Sequence, residues 1–232
     1  MAPRQTRNRL LSYLSAKDFE ALRPNLKPVD LPLRLMLEKP AEPIEHVFFP
    51  ETGIASVVAV QSHQTKVEVG LIGNEGMTGL PVILGDHQTP NTTYMQVAGQ
   101  GVRISADALR TAVDQNAGLQ KTFLKFVQTF LVQTSHTAIA NAHARLDERL
   151  ARWILMAHDR CAEPTIPLTH EFLSLMLAVR RAGVTEALHV LVKQGLVKSA
   201  RGEITVLDRD ALELTAGDSY GVPEAEYRRL FS

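Results

Sequence analysis

Cysteine is almost missing: Cys161 is the only one in 232 residues. A lone thiol excludes an internal disulfide and an iron–sulfur cluster held by the cysteines of one chain. It suits a reducing compartment, so a cytoplasmic protein is expected. Charge of one sign is also lacking, since 25 Lys and Arg balance 25 Asp and Glu. The whole chain therefore offers no general attraction to a polyanion. No run of about 18 apolar residues exists, so no membrane-spanning helix and no membrane partner are expected. The opening MAPRQTRNRLL lacks the apolar stretch of a secretory leader. A Gly-rich phosphate loop, an HExxH zinc motif and a nucleophile elbow are all absent, which argues against an enzyme.

What is present reads as an ordinary globular chain, with 45% hydrophobic and 22% charged residues. The charges are unevenly spread. Residues 145–202 hold nine Lys or Arg against six Asp or Glu, and the tail after Gly202 holds three against seven. A mildly basic segment beside an acidic tail is hidden by the zero total.

Residues 7–23 read as short helices, with Ser15 as a cap before Phe19 and Leu22. From Leu26 to Ser105 the period shortens. Apolar runs such as VFF and IASVVAV alternate with turn residues. KVEVGLIG places Val67, Val69 and Leu71 on one side and Lys66 and Glu68 on the other, the period of a half-buried strand. Short strands punctuated by glycine predict an antiparallel roll of about eighty residues. At Ser105 the period becomes helical, first in SADALRTAVDQ and then over a long stretch from Asn116 to Ala144. There Phe123, Phe126, Val127, Phe130, Leu131 and Thr134 recur at three- and four-residue spacing. That stripe suits packing on the roll, on a second copy of the chain, or on both. A further helix carries Leu146, Leu150, Trp153, Ile154 and Ala157 on one face. The stretch AEPTIP reads as a linker, with Glu163-Pro164 ending the helix.

The densest signal is in residues 168–207. Thr169 is a plausible cap for HEFLSLML, and the turn Ala178–Val179 leads to RRAGVTEALHVLVKQG. In the second helix Val184, Leu188 and Leu191 point inward, and Gly195 ends it. Two short strands, LVKS and ITVLD, flank the turn Ala200–Arg201–Gly202. Helix, turn, helix and hairpin make a winged helix-turn-helix. Arg180 and Arg181 open the second helix, where such proteins meet base edges, and arginine can bridge the O6 and N7 of guanine. Gly183, Thr185 and Glu186 follow within the next turn. Thr169 and His170 are placed to bind phosphate, and Lys198 and Arg201 in the wing to neutralise it. The plainer reading leaves Arg180 and Arg181 as solvated charges at a helix end.

At these residues the chain resembles the Crp/Fnr family of bacterial regulators, most densely in LTHEFLSLMLAVRRAGVTEALHVLVKQGLVKSARGEITVLD. The resemblance implies an α+β fold in three segments. These are a cyclic-nucleotide-binding-like β-roll over 1–115, a dimerisation helix over 116–144, and a winged helix-turn-helix domain with a C-terminal tail over 145–232. It implies a homodimer on a palindromic DNA operator, with RNA polymerase as a further partner. The dimer interface is expected at Phe123, Phe126, Val127, Phe130, Thr134 and Thr137. An effector, if there is one, is expected between roll and long helix, near Thr78, Gly79, Leu80, Asn91, Thr92, Thr93, Thr134 and Ser135.

The departures from the family bear on that effector. Members that bind cyclic AMP use a Glu for the ribose and an Arg-Ser pair for the phosphate. Gly79 stands near the place of the Glu, and Asn91 to Thr93 near that of the pair. No arginine occurs between Arg34 and Arg103. A buried cyclic phosphate without a cation is costly, so cyclic AMP in its usual pose is not expected. The N-terminal cysteine cluster of the family's oxygen-sensing branch is absent, so no iron–sulfur cluster is expected. His46, His63 and His87 stand in no recognisable haem motif, and no cofactor or metal is expected. The base-reading residues also differ, with Arg181 followed by Ala182 and Glu186 where well-known members carry Arg-Glu and a second arginine. A cyclic-nucleotide-binding-like signalling module that does not bind DNA is the alternative function, but it needs neither the helix-turn-helix nor the wing.

Overall fold

The computed structural model describes residues 6–61, 66–161 and 163–232. Two short helices, α1 (Arg9–Ser12) and α2 (Ala16–Leu22), open the chain. The strands β1 (Lys27–Leu31), β2 (Met36–Glu38), β3 (His46–Pro50), β4 (Ile54–Val60) and β5 (Lys66–Ile72) follow. After the single turn α3 (Leu80–Ile83) come β6 (Thr92–Val97) and β7 (Gly99–Ser105). The rest is α4 (Ala106–Asp114), α5 (Ala117–His143), α6 (Leu146–His158), β8 (Thr165–Ile166), α7 (His170–Leu177) and α8 (Arg181–Lys193), then β9 (Val197–Ala200), β10 (Glu203–Val206), α9 (Arg209–Ala216) and α10 (Val222–Phe231). The architecture is α+β. The strands form sheets in the orders β1-β7-β3, β2-β6-β4-β5 and β8-β10-β9.

By spatial contact the chain divides into two compact units. One comprises Met1–Val57, Ile72–Thr129 and Phe231; the other comprises Val58–Leu71, Phe130–Leu230 and Ser232. In the first, β7 lies between β1 and β3, antiparallel to both. The apolar run of β3 is buried from Val47 to Pro50. Gly53 has φ +80°, and a Cβ there would lie 2.6 Å from the Val97 carbonyl oxygen, so the turn needs glycine. The predicted caps form: Ser15 Oγ accepts from the Asp18 N–H at 3.1 Å and Ser105 Oγ from the Ala108 N–H at 3.3 Å. Asn8 is fully buried. Its Oδ1 caps α1 at the Leu11 N–H, and its Nδ2 donates to the carbonyls of Pro50 and Gly76 at 2.7 and 2.9 Å. Phe231 also belongs here, its ring 5.0 Å from that of Tyr13.

In the second unit α6 is central, with every residue from Leu150 to Ala157 buried, so it shows no single apolar face. Helices α7, α8 and α9 pack on it. Two expectations change here. Thr165–Ile166, inside the expected linker, is a strand that pairs with β10, Ile166 opposite Ile204 and Thr165 opposite Thr205. The acidic tail folds into α9 and α10, and Leu212 and Ala216 of α9 are buried.

The alternation read from KVEVGLIG holds only in part, since Leu71 is buried as expected but Glu68 is buried as well. Glu68 is fully buried, while Lys66 is exposed and Val67 and Val69 are half-buried. The physical reason is a cation in the same interior. Arg152 of α6 is 1% exposed; its Nε donates to the Ser219 carbonyl at 2.9 Å and its Nη2 to Thr137 Oγ1 at 3.0 Å. Burial pushes its guanidinium down to about 10, and the charges of Glu224 and Glu68 oppose that fall.

Helix α5 matches the expected long stretch, but its expected dimer stripe faces inward. Phe123, Phe126, Val127, Phe130 and Thr137 are buried in their own chain. The Phe123 ring lies 6.0 Å from that of Phe49. Phe126 lies over Gly76 and Phe130 over Gly70, where an added Cβ would sit 2.1 and 2.8 Å from the rings. Thr137 donates to the Gln133 carbonyl at 2.9 Å, and Thr134 to that of Leu131 at 2.9 Å. The exposed side of α5 is instead Leu124, Gln128, Leu131, Ser135 and Ala138, with Ile139 beside it. Leu131 and Ile139 are 56% and 55% exposed. Their alternating spacing of four and three residues is the heptad period of a coiled-coil seam. An apolar stripe alone does not say what covers it, and here the wider aromatic stripe is covered by the chain's own core.

Candidate nucleic-acid interface

The helix-turn-helix is assembled by local caps and a shared core. Thr169 Oγ1 accepts from the Phe172 N–H at 3.3 Å and starts α7. Ala178 takes a left-handed conformation, φ 51°, which ends α7 and turns the chain toward α8. Arg149 of α6 donates to the Leu177 carbonyl, holding the end of α7. Phe172, Leu173, Met176 and Leu177 of α7 and Val184, Ala187, Leu188 and Leu191 of α8 are buried together. Gly195, φ 75°, follows the last turn of α8.

That core leaves one face of α8 open. Arg180 is the residue that caps the helix and Arg181 its first residue, and both are exposed. Ala182, Thr185, Glu186 and His189 continue the exposed face. Arg181 lies 3.8 Å from Glu171 of α7, with the two side chains 72% and 61% exposed. An ion pair this open is worth little, so Arg181 can leave it for a base edge. Thr185 Oγ1 donates to the Arg181 carbonyl at 3.0 Å and lies 3.5 Å from His170 Nδ1. Gly183 differs from its neighbours. It is half-buried, and a Cβ there would lie 3.4 Å from Leu146 Cδ2, so it is a packing position against α6. His189, which the sequence reading passed over, shares the face of Thr185 by its i+4 spacing.

The wing is the hairpin β9–β10, paired from Val197–Val206 to Ala200–Glu203. Its two-residue turn puts Arg201 and Gly202 at φ 32° and 85°, the positive region that a tight hairpin uses. Lys198 and Arg201 are exposed. A Cβ on Gly202 would be 3.5 Å from Thr169 Cγ2, so the wing tip lies at the N-terminus of α7. Thr169, His170 and the wing turn thus come together on one side.

A polar cluster fastens α9 beneath this module. Arg209 donates to His158 Nδ1 at 2.9 Å, Asp159 Oδ1 at 2.7 Å and the Tyr220 hydroxyl at 2.8 Å, and Tyr220 donates to Asp159 Oδ2 at 2.6 Å. Burial, then the Arg209 charge, holds His158 below the usual histidine range. The unfolded chain therefore takes the proton more readily. Stability from this contact is full above about pH 6.5 and declines as the pH falls below it. Thermal melts between pH 7.5 and 5.5 should show a larger loss of Tm for the native chain than for His158→Gln. Equal losses would reject the assignment. Burial raises the Cys161 thiol, which fits an unreactive side chain.

In the roll, the expected effector residues divide. Thr78 is fully buried and structural, its Oγ1 accepting from the Phe48 N–H at 3.0 Å. Gly79 and Thr93 converge on a residue the sequence reading missed, Glu38. Its carboxylate accepts from the Gly79 N–H at 2.5 Å and from Thr93 Oγ1 at 2.6 Å. Burial raises the Glu38 pKa against those two hydrogen bonds. Leu80, Asn91 and Thr92 are half-buried. Thr134 and Ser135 both donate to the Leu131 carbonyl of their own helix. His46 lies in β3 with its ring 6.3 Å from Phe48, His87 lies 3.5 Å from Asp86, and His63 falls outside the described residues. Among the described residues no group of three or more His, Cys, Asp or Glu is placed to hold a metal, and no helix is long and apolar enough to cross a membrane.

Comparison with known proteins agrees with this geometry. A profile of the Crp-like helix-turn-helix domain matches residues 148–215. Among solved structures, the chain is similar to a Crp/Fnr-family transcriptional regulator from Eubacterium rectale, with 18% identity and a TM-score of 0.69 over 89% of this chain and 97% of that one. It is also similar to FixK2 from Bradyrhizobium japonicum, with 15% identity and a TM-score of 0.72 over 83% and 98% of the two chains. The c-di-GMP responsive regulator CLP of Xanthomonas campestris shares 16% identity and a TM-score of 0.65 over 83% and 99%. No curated protein matches the sequence. Residues 148–215 are a Crp-like helix-turn-helix domain, and the chain that carries them has the fold of the Crp/Fnr transcriptional regulators.

Proposed function

We propose that this chain is a sequence-specific DNA-binding transcription regulator that works as a homodimer in the cytoplasm and has no enzymatic activity. The supporting observation is the open face of α8, which carries Arg180, Arg181, Thr185 and Glu186 beside a basic wing, in a Crp-like helix-turn-helix domain. Arg181 reads a guanine through two hydrogen bonds; Lys198, Arg201 and the N-terminus of α7 bind phosphates. Two copies pair along the seam of Leu124, Gln128, Leu131, Ser135 and Ala138, which presents both α8 helices to one palindrome. RNA polymerase is the partner that such a regulator addresses.

An effector, in this reading, acts on the roll near Gly79, Leu80 and Asn91 to Thr93. Because the Glu38 carboxylate already takes the Gly79 N–H and the Thr93 hydroxyl, an anionic group would have to displace it. A cyclic nucleotide in the usual pose is therefore disfavoured.

Selection of bound sequences from random duplexes tests the function. A palindrome should be enriched, and absence of any enriched sequence would reject the reading. On the selected site Arg181→Ala should weaken binding by about 1–3 kcal/mol and relax the preference at one base pair of each half-site. An unchanged preference would remove Arg181 from base reading.

A further inference from the structure

We infer that His189, together with His170, contacts DNA phosphates, so that the affinity for DNA rises as the pH falls; this rests on the DNA-binding reading above. His189 is exposed on α8, one turn after Thr185 on the same open face. Between Arg181 and Lys193 it is the only basic side chain on that helix. His170 opens α7, and its Nδ1 lies 3.5 Å from Thr185 Oγ1, so the two histidines flank one threonine on the surface that faces DNA. The middle of that surface therefore meets a polyanion through imidazoles, where lysine or arginine would carry a fixed charge.

A neutral imidazole donates one N–H. A protonated one donates two and carries charge, and a phosphate beside it favours the protonated form. The surrounding charges are Glu171 on α7, Arg181, Glu186 and Lys193 on α8, Arg180 in the turn, and Lys198 and Arg201 in the wing. Glu171 is engaged with Arg181, and Glu186 stands three residues before His189. His170 lies at the positive end of α7, where the helix N–H groups favour an anion such as a DNA phosphate. Proton uptake is thereby linked to DNA binding.

The test uses a 30-base-pair duplex of random sequence, so that phosphate contacts dominate, and follows binding by fluorescence anisotropy at pH 8 and pH 6 over a range of salt. A histidine whose proton is held about tenfold more tightly on DNA contributes a factor of about six between those pH values. The full protein should gain about six- to fortyfold in affinity at pH 6, with a steeper dependence of log affinity on log salt. In the H170Q/H189Q variant the ratio of affinities at the two pH values should fall to within about twofold of one. His158 is present in both proteins, so its own protonation cancels in the comparison. Equal affinity of the native protein at both pH values, or a full gain retained by the double variant, overturns the inference and leaves DNA binding standing. Failure to bind any duplex at either pH overturns both.

Discussion

Replacing Leu131 with Asp, alone or with Leu124→Asp, should convert the protein to a monomer that remains folded. Both leucines are exposed on α5 seven residues apart, in register with Gln128, Ser135 and Ala138. Pairing two such helices buries each leucine against its counterpart, worth about 1.5–3 kcal/mol per side chain. An aspartate at the seam forfeits that gain and places like charges face to face, at a desolvation cost of several kcal/mol. The dissociation constant of the dimer should rise by at least about a thousandfold, equivalent to roughly 4 kcal/mol. Affinity for a palindrome should fall by about a hundredfold or more, because each half-site is then bound alone and the advantage of linkage is lost. Phe126→Asp should behave differently. Phe126 is buried over Gly76, so the charge enters the protein's own core and the chain unfolds. Sedimentation equilibrium with circular dichroism separates the two results. A dimer that survives Leu131→Asp would place the interface elsewhere.

Truncation of Arg152 should remove a large part of the stability. Its guanidinium is 1% exposed, bonded to Ser219 and Thr137, and set in an interior that also holds Glu68. Arg152→Ala withdraws a buried cation and leaves a volume behind. Breaking such a buried charge arrangement costs about 3–5 kcal/mol. For a chain of this size that is a fall in Tm of about 10 °C. Arg152→Met, which keeps most of the stem, should cost less, since the long apolar part of arginine packs as well as bonds. Urea unfolding followed by tryptophan fluorescence suits the measurement, because Trp153 is the next residue and equally buried. A loss below about 1 kcal/mol for Arg152→Ala would show that the cation is not needed there.

Much of the candidate interface was legible because its signals are local. Thr169 caps a helix through a bond to a residue three positions on, and Gly195 closes one through its own backbone freedom. Arg180 and Arg181 are open because the buried positions of α8, Val184, Leu188 and Leu191, lie on the other side of a 3.6-residue period. The surroundings of Gly183 were less legible. The face of a helical residue follows from the period, but what lies opposite depends on α6, and Leu146 is what Gly183 meets. Glu38 was missed because nothing near it in the chain marks it. It meets Gly79 and Thr93 only when β2 and β6 lie side by side.

By itself the sequence determined the kinds of element, their order, most of the caps, and the helix-turn-helix with its wing. Each of these rests on contacts within a few residues or on a repeating period. Tertiary structure decided the rest: which stripe of α5 is consumed by the protein's own core, that Glu68 of β5 is buried, and that the acidic tail folds into helices with α9 against α6. An apolar or charged side chain specifies that it needs a partner, and only the folded chain supplies one. Glu68 lies in an interior that also holds the Arg152 cation, and Leu131 lies outward because the inner side of its helix is already filled by Phe130 and its neighbours.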